Sequence, residues 1–152
     1  MLTCSKTYRD IPFAHRQPLH PGHCHYIHGH NWSVRITFCC SKRDENGFVV
    51  DFGNLGYIKK WIADNLDHAC LFAEHDPIKE AIVEAFPDAF KPYFLPDASC
   101  EGIALHLWEK FSRLLHENEG ERAWITSIDL WEDTKNTTRF EASREHIEKL
   151  QL

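Results

Sequence analysis

The sequence predicts an α+β fold, an antiparallel sheet carrying helices on one face, and three observations predict it. Residues 30–40 alternate: His30, Trp32, Val34, Ile36, Phe38 and Cys40 share one parity, and the other includes Asn31, Ser33, Arg35 and Thr37. That is the period of a strand with one apolar and one polar face. Two later segments repeat apolar residues at helical spacing, and strand-like segments lie at both ends of the chain with the helices between them.

In chain order, residues 2–14 form a first strand through Thr3, Thr7, Tyr8, Ile11 and Phe13, with Pro12 suited to an edge or a bulge. Residues 16–23 hold Pro18, Pro21 and Gly22 and make a loop. The strand over 30–40 comes next, then a polar turn from Ser41 to Gly47 and a short strand, Phe48-Val49-Val50. Asp51 caps a helix running to about Leu66, with Leu55, Ile58, Ile62 and Leu66 on its buried side. Residues 69–98 form a long excursion between the two main helices, fit for a pocket lid or an interface. Pro77 opens a short helix there, and Pro87, Pro92 and Pro96 break the remainder of the segment.

Ser99 caps the second main helix, which buries Ile103, Leu107, Phe111, Leu114 and Leu115 and ends near residues 118–120. A strand through Trp124, Ile128 and Leu130 runs into Trp131-Glu132-Asp133-Thr134, and another covers 137–140. A polar helix over 143–150 closes the chain. The expected order is strand, strand, helix, helix, strand, strand and a terminal helix, four strands in one domain over 1–152 with 69–98 as an insertion.

The 152 residues suffice to bury roughly two-thirds of the unfolded surface without staples. A net charge of −6 argues against a general nucleic-acid binder, which would show a basic stripe. The six cysteines are read as thiols, because the N-terminus lacks an apolar leader and Cys39 and Cys40 are adjacent in a strand. A cytoplasmic protein that does not enter membranes is expected.

The chemistry concentrates in residues 13–30, where Phe13-Ala14-His15-Arg16 precedes Cys24-His25-Tyr26-Ile27-His28-Gly29-His30. His28 and His30 share the parity of the apolar face, so both imidazoles point the same way at the start of their strand. His15, at the end of the first strand, is best placed as a third nitrogen if the two strands pair. Three imidazoles with one open position describe a catalytic zinc. Spacing leaves two alternatives standing: a solvated histidine loop, or a closed structural site with Cys24 as a fourth ligand.

Cys24 outside the ligand set would serve proton transfer, since a thiol of pKa about 8.5 ionises near neutrality in a modestly positive setting. Asp67-His68 can supply a carboxylate-oriented imidazole for it, although an Asp-His pair after a helix is also ordinary capping chemistry. Glu132, at a strand end, can accept paired N–H donors from a ring amidine. Glu101 sits in a helix first turn, where a carboxylate also complements the dipole.

These motifs, with Asp51-Phe52-Gly53-Asn54-Leu55, Leu66-Asp67-His68, Ser99-Cys100-Glu101-Gly102-Ile103-Ala104 and Trp131-Glu132, resemble in order the 6-pyruvoyl-tetrahydropterin synthase / 6-carboxy-tetrahydropterin synthase family. The resemblance implies a tunnelling fold (T-fold) and a homohexamer, a dimer of trimers with active sites between subunits. It implies Zn²⁺ on His15, His28 and His30, and a triad of Cys24, Asp67 and His68 with His68 coming from a neighbouring subunit. Glu132 would anchor the pterin, with Glu101 near it.

The implied substrate is 7,8-dihydroneopterin triphosphate. The carboxy branch, a lyase step toward 7-deazapurines such as queuosine, releases acetaldehyde and triphosphate; the pyruvoyl branch keeps the side chain. The short N-terminus and compact motifs favour the carboxy branch, with the pyruvoyl synthase and a non-catalytic zinc-binding module as alternatives. The sequence departs from the family pattern at His23 and Tyr26, where a basic residue is usual beside the cysteine. It departs again at Ser99-Cys100-Glu101-Gly102, which replaces a Thr-Ser/Thr-Glu-Asn run, and at Glu132-Asp133, which replaces Glu-Thr.

Overall fold

The computed structural model describes residues 1–150; residues 151–152 of the expected domain lie outside the described part. Its strands are β1 (Thr3–His15), β2 (His28–Cys40), β3 (Ala69–Ala73), β4 (Lys91–Leu95), β5 (Ala123–Trp131) and β6 (Thr137–Glu141). The helices are α1 (Gly56–Asn65), α2 (Lys79–Ala85), α3 (Cys100–Glu119) and α4 (Arg144–Leu150). One sheet runs β4-β3-β1-β2-β5-β6, so the four expected strands form its β1-β2-β5-β6 part, all antiparallel.

The four-stranded expectation is corrected to six strands, because two segments of the 69–98 excursion add β3 and β4, both in parallel pairing. All five residues of β3 are buried. A parallel strand covered on both faces shows a continuous apolar run rather than alternation, so Ala69-Cys70-Leu71-Phe72-Ala73 carries no period-2 signal. Pro92 lies within β4, the edge strand, where a missing N–H can be tolerated.

Two smaller expectations also change. Residues 48–50 form no strand, Val49 and Val50 being bends: Arg122 donates to the Val49 carbonyl at 2.9 Å and the Lys42 carbonyl at 3.2 Å, and Asp44 accepts from the Phe48 N–H at 2.8 Å. The Phe48 N–H and the Val49 carbonyl are thereby satisfied outside a ladder. Asp51 caps a 3₁₀ turn over Phe52–Asn54, accepting from the Gly53 N–H at 2.8 Å, and α1 starts only at Gly56.

The inner face of β2 contributes Trp32, Val34, Ile36 and Phe38, each 0% exposed, to one core. Ile58 and Ile62 of α1 join that core with Ile103, Leu107, Phe111 and Leu115 of α3. Burying such a side chain contributes about 1.5–3 kcal/mol. Ser99 caps α3 as expected, accepting from the Gly102 N–H at 3.0 Å, while its own hydroxyl donates to Asp97 at 2.8 Å. A Cβ at position 102 would lie 2.5 Å from Asp97, which accounts for glycine where the family pattern has a side chain.

The added β4 is tied to α3 by Tyr93, whose hydroxyl lies 2.7 Å from His106 Nε2. Burial pushes the His106 imidazole down to about 4, with Lys110 and Arg113 adding repulsion. The unfolded chain, with histidine near 6.5, therefore binds this proton more readily than the folded one. His106 leaves stability intact above about pH 6.5 and costs stability as pH falls toward 4. In denaturant titrations at pH 7 and 4.5, His106→Gln is expected to lose less stability than the parent chain; equal losses would contradict this.

Candidate metal centre and its cavity

Three neighbouring strands deliver four donor side chains to one spot. In β1, Ile11, Phe13 and His15 are buried in alternation, so His15 continues the inner face. His15 pairs directly with His28 across the ladder, and Phe13 with His30. In β5, Ile128 and Leu130 are buried, and Glu132 carries the same parity just beyond the strand end. The ligand atoms of His15, His28, His30 and Glu132 all lie within 4.8 Å of one another. Glu132 Oε1 is 3.2 Å from His15 Nε2 and 3.4 Å from His30 Nε2.

The tautomers are set from behind. His15 Nδ1 is 2.7 Å from the Ala98 carbonyl and His28 Nδ1 is 2.7 Å from the Tyr26 carbonyl. A carbonyl can only accept, so both rings donate through Nδ1–H and keep Nε2 as a lone pair. Burial pushes His15 down, with the neighbouring His28 and His30 also opposing its charge, so the neutral, ligating form is favoured. Beneath the rings, Trp32 stacks on Phe13 at 4.5 Å and donates its indole N–H to the Phe13 carbonyl at 3.1 Å. His15 and His30 each meet Trp32 edge-on.

The fit to a metal rests on an orphaned pair of atoms. Nε2 of His15 and Nε2 of His30 are buried without a hydrogen-bond partner, despite the nearby carboxylate. Buried polar atoms left unsatisfied are costly, and two converging imidazole nitrogens with a carboxylate are what a divalent transition metal would satisfy. His15, His28, His30 and Glu132 can therefore hold a metal ion.

The centre opens into a cavity of about 480 Å³ whose walls include Gln17, Cys24, Glu101, Glu132 and Lys135. Cys24, in a 3₁₀ turn over His23–His25, is exposed and lines this cavity without being one of the gathered donors. Glu101 reaches it from the first turn of α3. Asp67 and His68 do not line it within one chain. His68 Nδ1 is 2.6 Å from Asp67 Oδ1, and its side chain is 83% exposed. Its φ of +59° is left-handed, costly for a non-glycine residue.

Two features of the site escape a reading of the sequence. Glu132, expected only on the substrate side, has its carboxylate among the imidazoles; extending the Ile128–Leu130 parity is the signal that locates it. Lys135 reads as no more than part of a turn until the cavity is seen.

Fold and site together define an α+β protein whose sheet presents a three-histidine, one-carboxylate centre at the base of a polar cavity. A model of the 6-pyruvoyl tetrahydropterin synthase family matches residues 3–143, and the chain belongs to that family. It is 31% identical over 133 residues to a Rickettsia bellii protein named 6-carboxy-5,6,7,8-tetrahydropterin synthase, covering 87% of this chain and 94% of the relative. A Bacillus subtilis protein of the same name is 32% identical over 81 residues, covering 47% and 53%.

Among solved structures, an uncharacterized Wolinella succinogenes protein superposes with a TM-score of 0.77 at 19% identity, covering 93% of this chain and 98% of the other. The Caenorhabditis elegans 6-pyruvoyl tetrahydropterin synthase gives 0.61 at 21%, covering 93% and 96%. At these identities the likeness is one of fold, and the T-fold is this chain's fold with two strands added. No helix among the described residues is long and apolar enough to cross a membrane.

Proposed function

We propose that the chain is a zinc-dependent 6-carboxy-5,6,7,8-tetrahydropterin synthase acting on 7,8-dihydroneopterin triphosphate, with acetaldehyde and triphosphate as the other products. The observation that carries this reading is the convergence of His15, His28 and His30, two of them with buried, unpartnered Nε2 atoms, beside a cavity that His15 and His28 line together with Cys24. The carboxy branch, toward 7-deazapurines such as queuosine, is favoured by the name of the Rickettsia bellii relative, which aligns over nearly its whole length.

The three imidazoles would hold the ion, and a bound Zn²⁺ would supply Lewis-acid polarisation of side-chain hydroxyl and ketone oxygens. Cys24 accepts or returns a proton on one face of the substrate. Glu101, and the Glu132 oxygen other than the Oε1 that faces His15 and His30, accept N–H donors of the pterin's amidine edge, which orients the side chain toward the floor.

His68, exposed and braced by Asp67 but outside this chain's own cavity, serves the active site of a neighbouring subunit in a homohexamer. Its left-handed backbone is strain of the kind that a positioned functional group retains.

Incubation of the zinc-loaded protein with dihydroneopterin triphosphate tests the reading. Acetaldehyde and triphosphate are expected in equal amounts. Triphosphate without acetaldehyde would assign the pyruvoyl reaction instead, and zinc retention with no turnover would leave a metal-binding module.

A further inference from the structure

The cavity has a charge problem that its floor does not solve. Glu101 and Glu132 line it, and a polyphosphate arm entering it would meet both carboxylates. The cation nearest in sequence to the centre, Arg16, is committed elsewhere: its Nε is 2.9 Å from Asp76, a carboxylate that is wholly buried. The residues flanking Cys24 are His23 and His25, with Tyr26 next, none of them a permanent cation. Arg139 and Arg35 are both engaged with Asp129, at 2.7 and 3.0 Å.

Among the described residues that line the cavity, Lys135 is the one permanent cation. It is exposed and takes part in none of the ion pairs among the described residues.

The turn that presents it is built rather than slack. Asp133 Oδ1 accepts the backbone N–H groups of Lys135 and Asn136, each at 2.7 Å, and Oδ2 accepts the Asn136 side-chain amide at 3.0 Å. The Glu132 N–H donates to the Asn136 carbonyl at 3.1 Å, closing the loop between β5 and β6. A carboxylate with backbone donors of this kind holds a turn in one shape. Asp133 stands where the family pattern has threonine, and it fixes the residue that carries the charge.

We propose that Lys135 is this chain's cation for the polyphosphate arm of its substrate, and that Asp133 is the residue that positions it. This rests on the phosphorylated-pterin reading above. Lys135 binds the arm as a point charge from the cavity wall, while the pterin ring occupies the carboxylates. Its contribution is to substrate and leaving-group binding, not to proton transfer.

The test measures turnover of dihydroneopterin triphosphate and, separately, binding of inorganic triphosphate to the metal-loaded protein at two salt concentrations. For Lys135→Ala, KM is expected to rise about tenfold, equivalent to about 1.4 kcal/mol, with kcat within about threefold. Affinity for inorganic triphosphate should fall similarly and lose part of its salt dependence. Lys135→Arg should restore both; Asp133→Ala should weaken both without changing the charge of residue 135. Lys135→Ala with unchanged KM and unchanged triphosphate affinity overturns the proposal. If the parent chain does not turn over the pterin but Lys135→Ala still loses triphosphate binding, the pterin reading fails while the anion site stands.

Discussion

Replacing Cys24 by alanine is expected to lower turnover by about 10²- to 10⁴-fold while metal content stays at the parent value. The thiol lines the cavity but is not one of the four donors gathered within 4.8 Å. Its turn is held by backbone contacts that do not involve sulfur: Gln17 N–H donates to the Cys24 carbonyl at 2.8 Å, and Tyr26 N–H to the His23 carbonyl at 3.1 Å. The substitution therefore removes a proton carrier and leaves the wall standing. Metal analysis and steady-state kinetics on the same preparation decide the matter. Loss of metal with activity would move Cys24 into the ligand set, as a closed structural site requires. Retained metal with undiminished turnover would remove the thiol from the chemistry altogether.

The parts of the site legible in the sequence are those where chemistry and periodicity coincide. His28 and His30 fall on one face because Trp32, Val34, Ile36 and Phe38 establish the parity of β2 without interruption. The pairing His15↔His28 needs only that β1 and β2 form a hairpin, which the register realises despite an irregularity between Tyr8 and Ile11. Glu132 is legible as a residue but not as a neighbour of the histidines. The parity that locates it is local to residues 128–132, because β5 shifts register against β2 between Thr37 and Phe38.

The 69–98 segment is opaque for a different reason. A strand buried on both sides shows no alternation, and a proline in an edge strand looks like a breaker until its neighbours are known. The pairing of Tyr93 with His106 is illegible for the same reason, since it depends on β4 existing. The left-handed conformation of His68 has no sequence signature at all, because nothing in Leu66-Asp67-His68 demands it. Its amide donates to the Pro12 carbonyl at 2.7 Å, a tertiary contact that holds the backbone where local preference would not.

Replacing His15 by alanine is expected to remove the metal and to destabilise the protein even without it. The ring is 3% exposed, packed edge-on against Trp32, and its Nδ1–H satisfies the Ala98 carbonyl just before α3. Truncation leaves a void and an unpaired carbonyl, together about 2–4 kcal/mol. For a chain of this length that is a fall of roughly 5–15 °C in Tm. His28→Ala is the matched control, because that ring is only half-buried and its carbonyl partner lies in an exposed loop. In chelator, His15→Ala should melt well below the parent and His28→Ala close to it. With zinc added, both should lose the metal-dependent rise in Tm that the parent shows. A His15→Ala protein that melts with the parent in chelator would mean the ring is a ligand alone. One that keeps the zinc-dependent rise would mean the ion is held without it. The expected pattern gives His15 both duties: it ends β1 as a ligand, and through Ala98 it anchors the start of the helix that sets Glu101 in the cavity wall.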